Sequence, residues 1–432
     1  MKKRPSSPLI LALALLSTPL LAEDLLEVSR YALEQDPQLQ ISRLDTRIQQ
    51  EQATQTRALL LPSLSSSIQY EYGDNSRYRD ENRGESYSLT LSQSLYNRAQ
   101  QKQLEQAEIT THEKRLQVEL ERQQLLLQTA SAYFDQLAAV EAVTLAEQEL
   151  QATAQQLKQS RKQFEVGAAS MTDLQEVQAR YDLNHAQQVS AKAALSNSRE
   201  RLFELINRDF SRLQPLQQKI PLQPPSPQQP EAWVEQALQN SITLKQLEQQ
   251  RQAATAAIEA ADAGHYPTIN LVGSLSRNEN SNSLYGGDYD TYSVGLQASL
   301  PLLNGGSTRS KAAQARQQRQ QIEARQEQQR RSTVRQVRSS YLAVTTAIQL
   351  VKAQQQVVTS AETALRATRS GAEVGTRTTA DVLDAQKELF SARRELSQAR
   401  YDLLLSRLTL KQVVGTLTLE EIESVNLLLH SG

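Results

Sequence analysis

The chain has 432 residues, of which 39% are apolar and only 5% aromatic, and its mean hydropathy is -0.55. That is too little bulky apolar side chain to fill the two or three thick globular cores the length alone would suggest, so long thin helices with narrow apolar seams are expected. The net charge of -1 gives no pull towards nucleic acid, and the lack of cysteine excludes disulfides and a thiol-linked lipid anchor.

Residues 1–22 read as a secretory signal peptide. Lys2, Lys3 and Arg4 precede an apolar run over residues 9–16, and the segment ends at Ala22, with Leu20 at the minus-three position larger than usual. The run is too short to cross a bilayer, and no later segment approaches the roughly 18 continuous apolar residues of a transmembrane helix. An exported chain with no helical span is expected.

A first structural repeat is expected over residues 23–213. It opens with a helix over 23–60, followed by two short alternating segments near 62–96. In the second of these, Tyr87, Leu89, Leu91 and Leu95 share one face, and Ser88, Thr90, Ser92 and Ser94 the other. The first, around 64–72, alternates less strictly, and the polar stretch "GDNSRYRDENRGES" reads as the loop between them. Neither glycine nor proline occurs between Asn97 and Val166, so this stretch can form one helix, which at about 1.5 Å per residue would be roughly 100 Å long. The turn "VGAASMTD" then leads into a second helix over 168–213, making a long helical hairpin over 98–213. The proline-rich connector "QPLQQKIPLQPPSPQQP", residues 214–230, cannot continue a helix.

A second repeat, residues 231–414, follows the same plan: a helix over 231–262, two strands near 267–301, and a long hairpin over 307–414 bent at "VGTRTTAD", before a C-terminal segment, 415–432. Tyr87 matches Tyr292 at a shift of 205 (292 − 87), as do Pro62 with Pro267 and Ala32 with Ala237. Asp173 matches Asp381 at a shift of 208 (381 − 173), the extra residues falling at "NGG". The turn occurs twice because the hairpin does. Along the second long helix, Ala343, Ala347, Leu350, Val357, Ala361 and Ala364 lie on a 3.5-residue stripe interrupted by Gln354, which predicts a coiled-coil seam. Such helices are stable only against neighbours.

Strands of about ten residues with one apolar face, one polar face and tyrosines near the ends have the pattern of a transmembrane barrel. The competing reading is a water-soluble β-hairpin packed on the helices. Export, and the absence of any other core for these strands, favour the barrel. Four strands cannot close one and open edges are not tolerated in lipid, so several chains must each contribute four.

Over essentially the whole mature chain, the sequence resembles the TolC family of outer-membrane efflux and secretion channels. The resemblance rests on the duplicated strand-strand-helix-helix plan and on "LPSLSSSIQYEY", "YPTINLVGSL", "LQASLPLLNGG" and above all "VGTRTTADVLDAQKELFSARREL". It implies a mainly α fold with a small β part: a homotrimer whose 12-stranded barrel in the outer membrane continues into a helical tunnel across the periplasm. The tunnel tapers to a closed mouth that docks with a periplasmic adaptor (membrane fusion) protein and an inner-membrane transporter. By the same resemblance, Asp381 and Asp384 match two aspartate rings at the mouth, where spacing of three residues puts both on one helix face and charged rings confer cation selectivity. Thr172, Asp173 and Arg377 match residues that latch the mouth, and the hairpin tips at Val166, Gly167, Val374 and Gly375 match the docking region. The family prototype carries a tyrosine in the latch where this chain has Ala372.

Local chemistry offers a plainer role for some of these residues. Ser170 with Asp173 and Thr378 with Asp381 fit the S/T-x-x-D/E capping box, in which the acid satisfies a free backbone amide; for Asp173 capping and latching are compatible, whereas Asp384 has no capping role. Arg377 also reads as a solvated turn residue. No catalytic site, cofactor or metal is expected: His112, His185, His265 and His430 are scattered, no G-x-S-x-G elbow occurs, and "NGGSTRSK" lacks Walker spacing. The basic run from Arg309 to Arg338 is spaced by glutamines without aromatics, which reads as a solvated helix face and not a nucleic-acid site. The nearest rival is a soluble periplasmic coiled-coil adaptor or structural protein, which would leave the four alternating segments and the duplication unexplained.

Overall fold

A computed structural model describes residues 23–75, 80–210, 212–280 and 287–429. The expected signal peptide, residues 1–22, lies outside the described residues, as do parts of both strand-joining loops.

The first repeat contains α1 (Leu25–Gln35), α2 (Pro37–Ala58), β1 (Ser63–Asn75), β2 (Asp80–Tyr96), α3 (Arg98–Glu165) and α4 (Met171–Ile206). The second contains α5 (Pro230–Asn240), α6 (Ile242–Asp262), β3 (Thr268–Asn280), β4 (Tyr289–Ser299), α7 (Ser307–Glu373) and α8 (Thr379–Val414), and α9 (Leu419–Asn426) follows. Helix α5 begins 205 residues after α1, and α8 begins 208 after α4, so the two shifts seen in the sequence are shifts of whole elements.

Three expected helices are interrupted, each for a local reason. The single helix expected over 23–60 breaks at Asp36, because Pro37 takes the first helical position of α2 and the Asp36 side chain caps it, accepting from the Leu39 amide at 2.7 Å. The corresponding break between α5 and α6 falls at Ser241, whose hydroxyl caps Leu244. Helix α4 stops at Ile206 instead of running to 213, since Asn207 adopts the left-handed conformation at φ 48°. Beyond it Phe210, Leu213, Leu216 and Ile220 bury into the core.

The sheet order is β1-β2-β3-β4, antiparallel throughout, with β1 and β4 as open edges. Its strands run longer than the sequence suggested: pairing continues to Asn75↔Asp80, so much of the stretch read as a loop is strand. Register sorts the side chains by face. Leu64, Leu91, Gly273 and Val294 form one cross-strand row, and Leu89, Leu275 and Tyr292 lie on the same face. On the other face Ser65, Thr90, Ser274 and Ser293 make one hydroxyl row, and Ser67, Ser88, Ser276 and Thr291 the next, tied by Ser67–Ser88 and Ser274–Ser293 hydrogen bonds of 2.8 Å. Among the described residues the apolar face is largely uncovered: Val294 is 81% exposed.

From the sheet, α3 and α7 run about 100 Å at 1.5 Å per residue to the hairpin tips at the opposite end. The main core sits midway, where α1, α9 and the connector wrap the middle of α3 and the C-terminal half of α8 around Tyr133, Leu202, Ile206, Leu403, Leu404 and Ile422. The Tyr133 hydroxyl reaches the carbonyls of Glu23 (3.2 Å) and Gln214 (3.1 Å), joining the start of the described chain to the connector. Burial pushes this hydroxyl above its ordinary pKa, so it remains a neutral donor.

Along α7 the stripe has the expected period but a different phase. From Val337 onwards its buried residues are Val337, Val344, Ile348, Val351, Ala361 and Leu365. The expected stripe lies one residue, about 100°, around the helix; of its members Ala361 is buried, while Leu350 and Val357 stay exposed. Sequence periodicity had picked out the helix's second apolar face.

Candidate functional site

The two hairpin tips share one construction. At the end of α3, Gly167 takes φ 74° and its amide donates to the Phe164 carbonyl (2.9 Å), while the Ala168 amide reaches back to Gln163 (2.7 Å). At the end of α7, Gly375 takes φ 77° with the equivalent bonds Gly375→Ala372 (3.2 Å) and Thr376→Gly371 (2.8 Å). This is the Schellman arrangement, which consumes the last free helix carbonyls and needs a residue tolerant of the left-handed region. A capping box then starts each returning helix. Ser170 Oγ accepts from the Asp173 amide (3.1 Å) and Asp173 accepts from the Ser170 amide (3.2 Å). Thr378 Oγ1 accepts from the Asp381 amide (3.1 Å), and Asp381 Oδ2 accepts from the Thr378 amide (2.9 Å) and hydroxyl (3.0 Å). The motif V-G-x-x-[S/T]-x-x-D therefore spells a helix stop and a helix start three residues apart.

These bonds to the Thr378 amide and hydroxyl, with Arg377 nearby, hold the Asp381 carboxyl below the usual carboxylate range, so it is ionised at neutral pH. Asp384 lies one turn further along α8, is 69% exposed, and accepts from Arg180 Nη2 of α4 at 2.7 Å. Sequence reasoning missed Arg180: its partner is 204 residues away, and no spacing on its own helix marks it. On the tip side of this pair, Leu383 packs with Leu157 and Val177, which joins α8 to both helices of the first hairpin. Further from the tip, Arg394 reaches the buried Glu149 of α3 at 3.2 Å.

The expected latch residues are not brought together within one chain. Thr172 and Asp173 sit exposed on the first tip. Arg377 lies on the second, with its aliphatic stem against Gly371, where an added Cβ would come within 2.8 Å of the Arg377 Cγ. Ala372, at the position of the prototype's tyrosine, packs against the apolar cluster of Leu365, Val382 and Leu389. Val166 and Val374, at the very tips, are 78% and 75% exposed. Among the described residues, no helix is long and apolar enough to cross a membrane, and no group of His, Asp and Glu has the geometry of a metal site.

A family model described as outer membrane efflux protein matches residues 28–208 and 233–416, which takes in both repeats. The chain belongs to the outer membrane efflux protein family. It is 34% identical over 423 residues to the outer membrane protein TolC of Vibrio cholerae, covering 96% of each chain. It is 29% identical to the alkaline protease secretion protein AprF of Pseudomonas aeruginosa, covering 96% of this chain and 89% of AprF. Among solved structures, that of CusC superposes with a TM-score of 0.81 at 20% identity, covering 96% and 98% of the two chains, a likeness of fold. As a member of the outer membrane efflux protein family, the chain is an outer-membrane channel of the efflux and type I secretion class, with its helices forming a tunnel in the periplasm. The soluble-adaptor alternative finds no support, and the relatives are channels, not enzymes.

Proposed function

We propose that three copies of this chain close into one passive export duct, whose cargo is chosen by the partners it docks with. The observation that carries this reading is the open four-stranded sheet, apolar on one face and lined with hydroxyls on the other, at the head of two hairpins about 100 Å long. In lipid both edges must be paired, β4 of one chain with β1 of the next. Two chains would make eight strands, a barrel filled by its own side chains, whereas twelve strands leave a lumen. The apolar face then meets outer-membrane lipid and the hydroxyl rows line the passage. The exposed Leu350 and Val357 face of α7 suits packing against a neighbouring chain.

At the far end, threefold symmetry gathers Asp381 and Asp384 into a ring that narrows the mouth and favours cations. Arg377 of one chain is free to meet Thr172 and Asp173 of the next, which would hold the mouth shut. The exposed tips at Val166, Gly167, Val374 and Gly375 would dock a periplasmic adaptor, opening the duct towards an inner-membrane transporter. Residues 1–22 would direct export and be removed.

The test is single-channel current from purified protein in a planar bilayer, for the wild type and for Asp381→Ala/Asp384→Ala. Small cation-selective currents are expected from the wild type, with selectivity lost in the double variant. Unchanged selectivity would remove the ring, and failure to insert would remove the duct.

A further inference from the structure

We propose that Arg180 is a gating and selectivity-determining residue of the mouth: it ties α4 to α8 through Asp384 and, while the tie holds, withdraws the Asp384 charge from the pore. This rests on the reading of Asp381 and Asp384 as the mouth ring. Three observations carry it. The first is geometry. Arg180 sits one turn beyond Val177 on α4, Asp384 directly follows Leu383 on α8, and Val177 and Leu383 are buried against each other with Leu157. The apolar contact fixes the spacing of the two helices, and the 2.7 Å ion pair lies at its edge. Arg180 is the sheltered member, its side chain 21% exposed against 69% for Asp384, so the arginine is held by its surroundings and the aspartate comes to it.

The second is what surrounds the pair. Among the described residues, the other ion pair between α8 and the first hairpin is Arg394–Glu149, ten residues and roughly 15 Å higher along the helix. Towards the tip, among the described residues, the hairpins meet at the Leu383 cluster and the Arg180–Asp384 bridge. Ala372 adds no polar tie, being packed among Leu365, Val382 and Leu389 of its own hairpin. The bridge therefore supplies, lower on α8, a polar link between hairpins that Ala372 cannot make.

The third is charge. Asp381 is ionised and already engaged with Thr378, whereas Asp384 has a cation on it. With the bridges intact, three copies present three uncompensated carboxylates at the mouth instead of six. When the hairpins separate, Arg180 leaves with α4, Asp384 stays on α8, and the remaining three charges face the pore. Opening and cation selectivity are thereby one event.

The experiment compares wild type, Arg180→Gln, Arg180→Lys and the swap Arg180→Asp/Asp384→Arg in planar bilayers, reading the open-to-closed ratio and the reversal potential in a salt gradient. Trimer content in detergent serves as the check on assembly. Loss of three exposed bridges of modest individual worth is expected to raise the open-to-closed ratio about tenfold in Arg180→Gln, with a reversal potential shifted further towards cations. Arg180→Lys should keep most of the wild-type behaviour. The swap should recover the closed state but show weaker cation preference. Wild-type gating and selectivity in Arg180→Gln would overturn the proposal, as would a looser mouth without the selectivity shift. If Asp381→Ala/Asp384→Ala still alters selectivity in those cases, the ring stands and only the role of Arg180 falls. If it does not, the reading of the mouth falls with it.

Discussion

Gly415 ends α8 at φ 83°, and a Cβ placed there would lie 2.7 Å from the Asn240 carbonyl oxygen at the start of the α5–α6 break. Both the left-handed backbone and the backbone neighbour exclude a side chain, so Gly415→Ala is expected to cost about 2–3 kcal/mol. Trp233 is the only tryptophan and is buried, so its fluorescence during denaturant unfolding gives the measurement; a midpoint equal to wild type would show that the contact relaxes freely. The two tip motifs were the most legible residues in the sequence, because glycine at a helix stop and Ser/Thr-x-x-Asp at a helix start act on neighbours within four residues. Asp381 and Asp173 appear in the structure as the capping residues the pattern foresaw. Arg180 was invisible for the opposite reason: an ion pair between chain positions 204 apart leaves no periodic trace.

The long helices were also legible, since a long stretch without glycine or proline is a strong helix signal; α3 stops just before Gly167, while α7 continues through Gly371 to Glu373 and stops before Gly375. The breaks at Asp36 and Ser241 follow from local signals, Asp-Pro and a serine cap, that the expectation of single helices over 23–60 and 231–262 left unused. The phase of the α7 stripe was not readable. Two apolar faces adjoin on that helix, and only tertiary contact decides which one the chain buries for itself. This predicts different outcomes for two kinds of substitution. Leu404→Ala, in the central core at 0% exposure, should destabilise each chain by about 2–5 kcal/mol. Leu350→Glu/Val357→Glu should leave the chain's own seam intact and instead shift purified complexes towards single chains in size-exclusion chromatography. Complexes of unchanged size would mean that this α7 face meets solvent.

Across the whole molecule, three regions with different chemistry follow one axis: a sheet finished with lipid-compatible side chains, a central apolar core that clamps the helices, and tips held by polar ties. The sheet and the α7 face expose apolar surface that no single chain covers, and that surface is where the account predicts other molecules. Strand count and face were legible because alternation has a period of two; the exact number of copies was not, since a sequence describes one sheet and not its closure. The most direct test is native mass spectrometry of the complex extracted from outer membranes. The account predicts one dominant species of three chains, the number that gives twelve strands and an open lumen. A dominant single chain or pair would contradict it, because four strands cannot close in lipid and eight leave no passage for cargo.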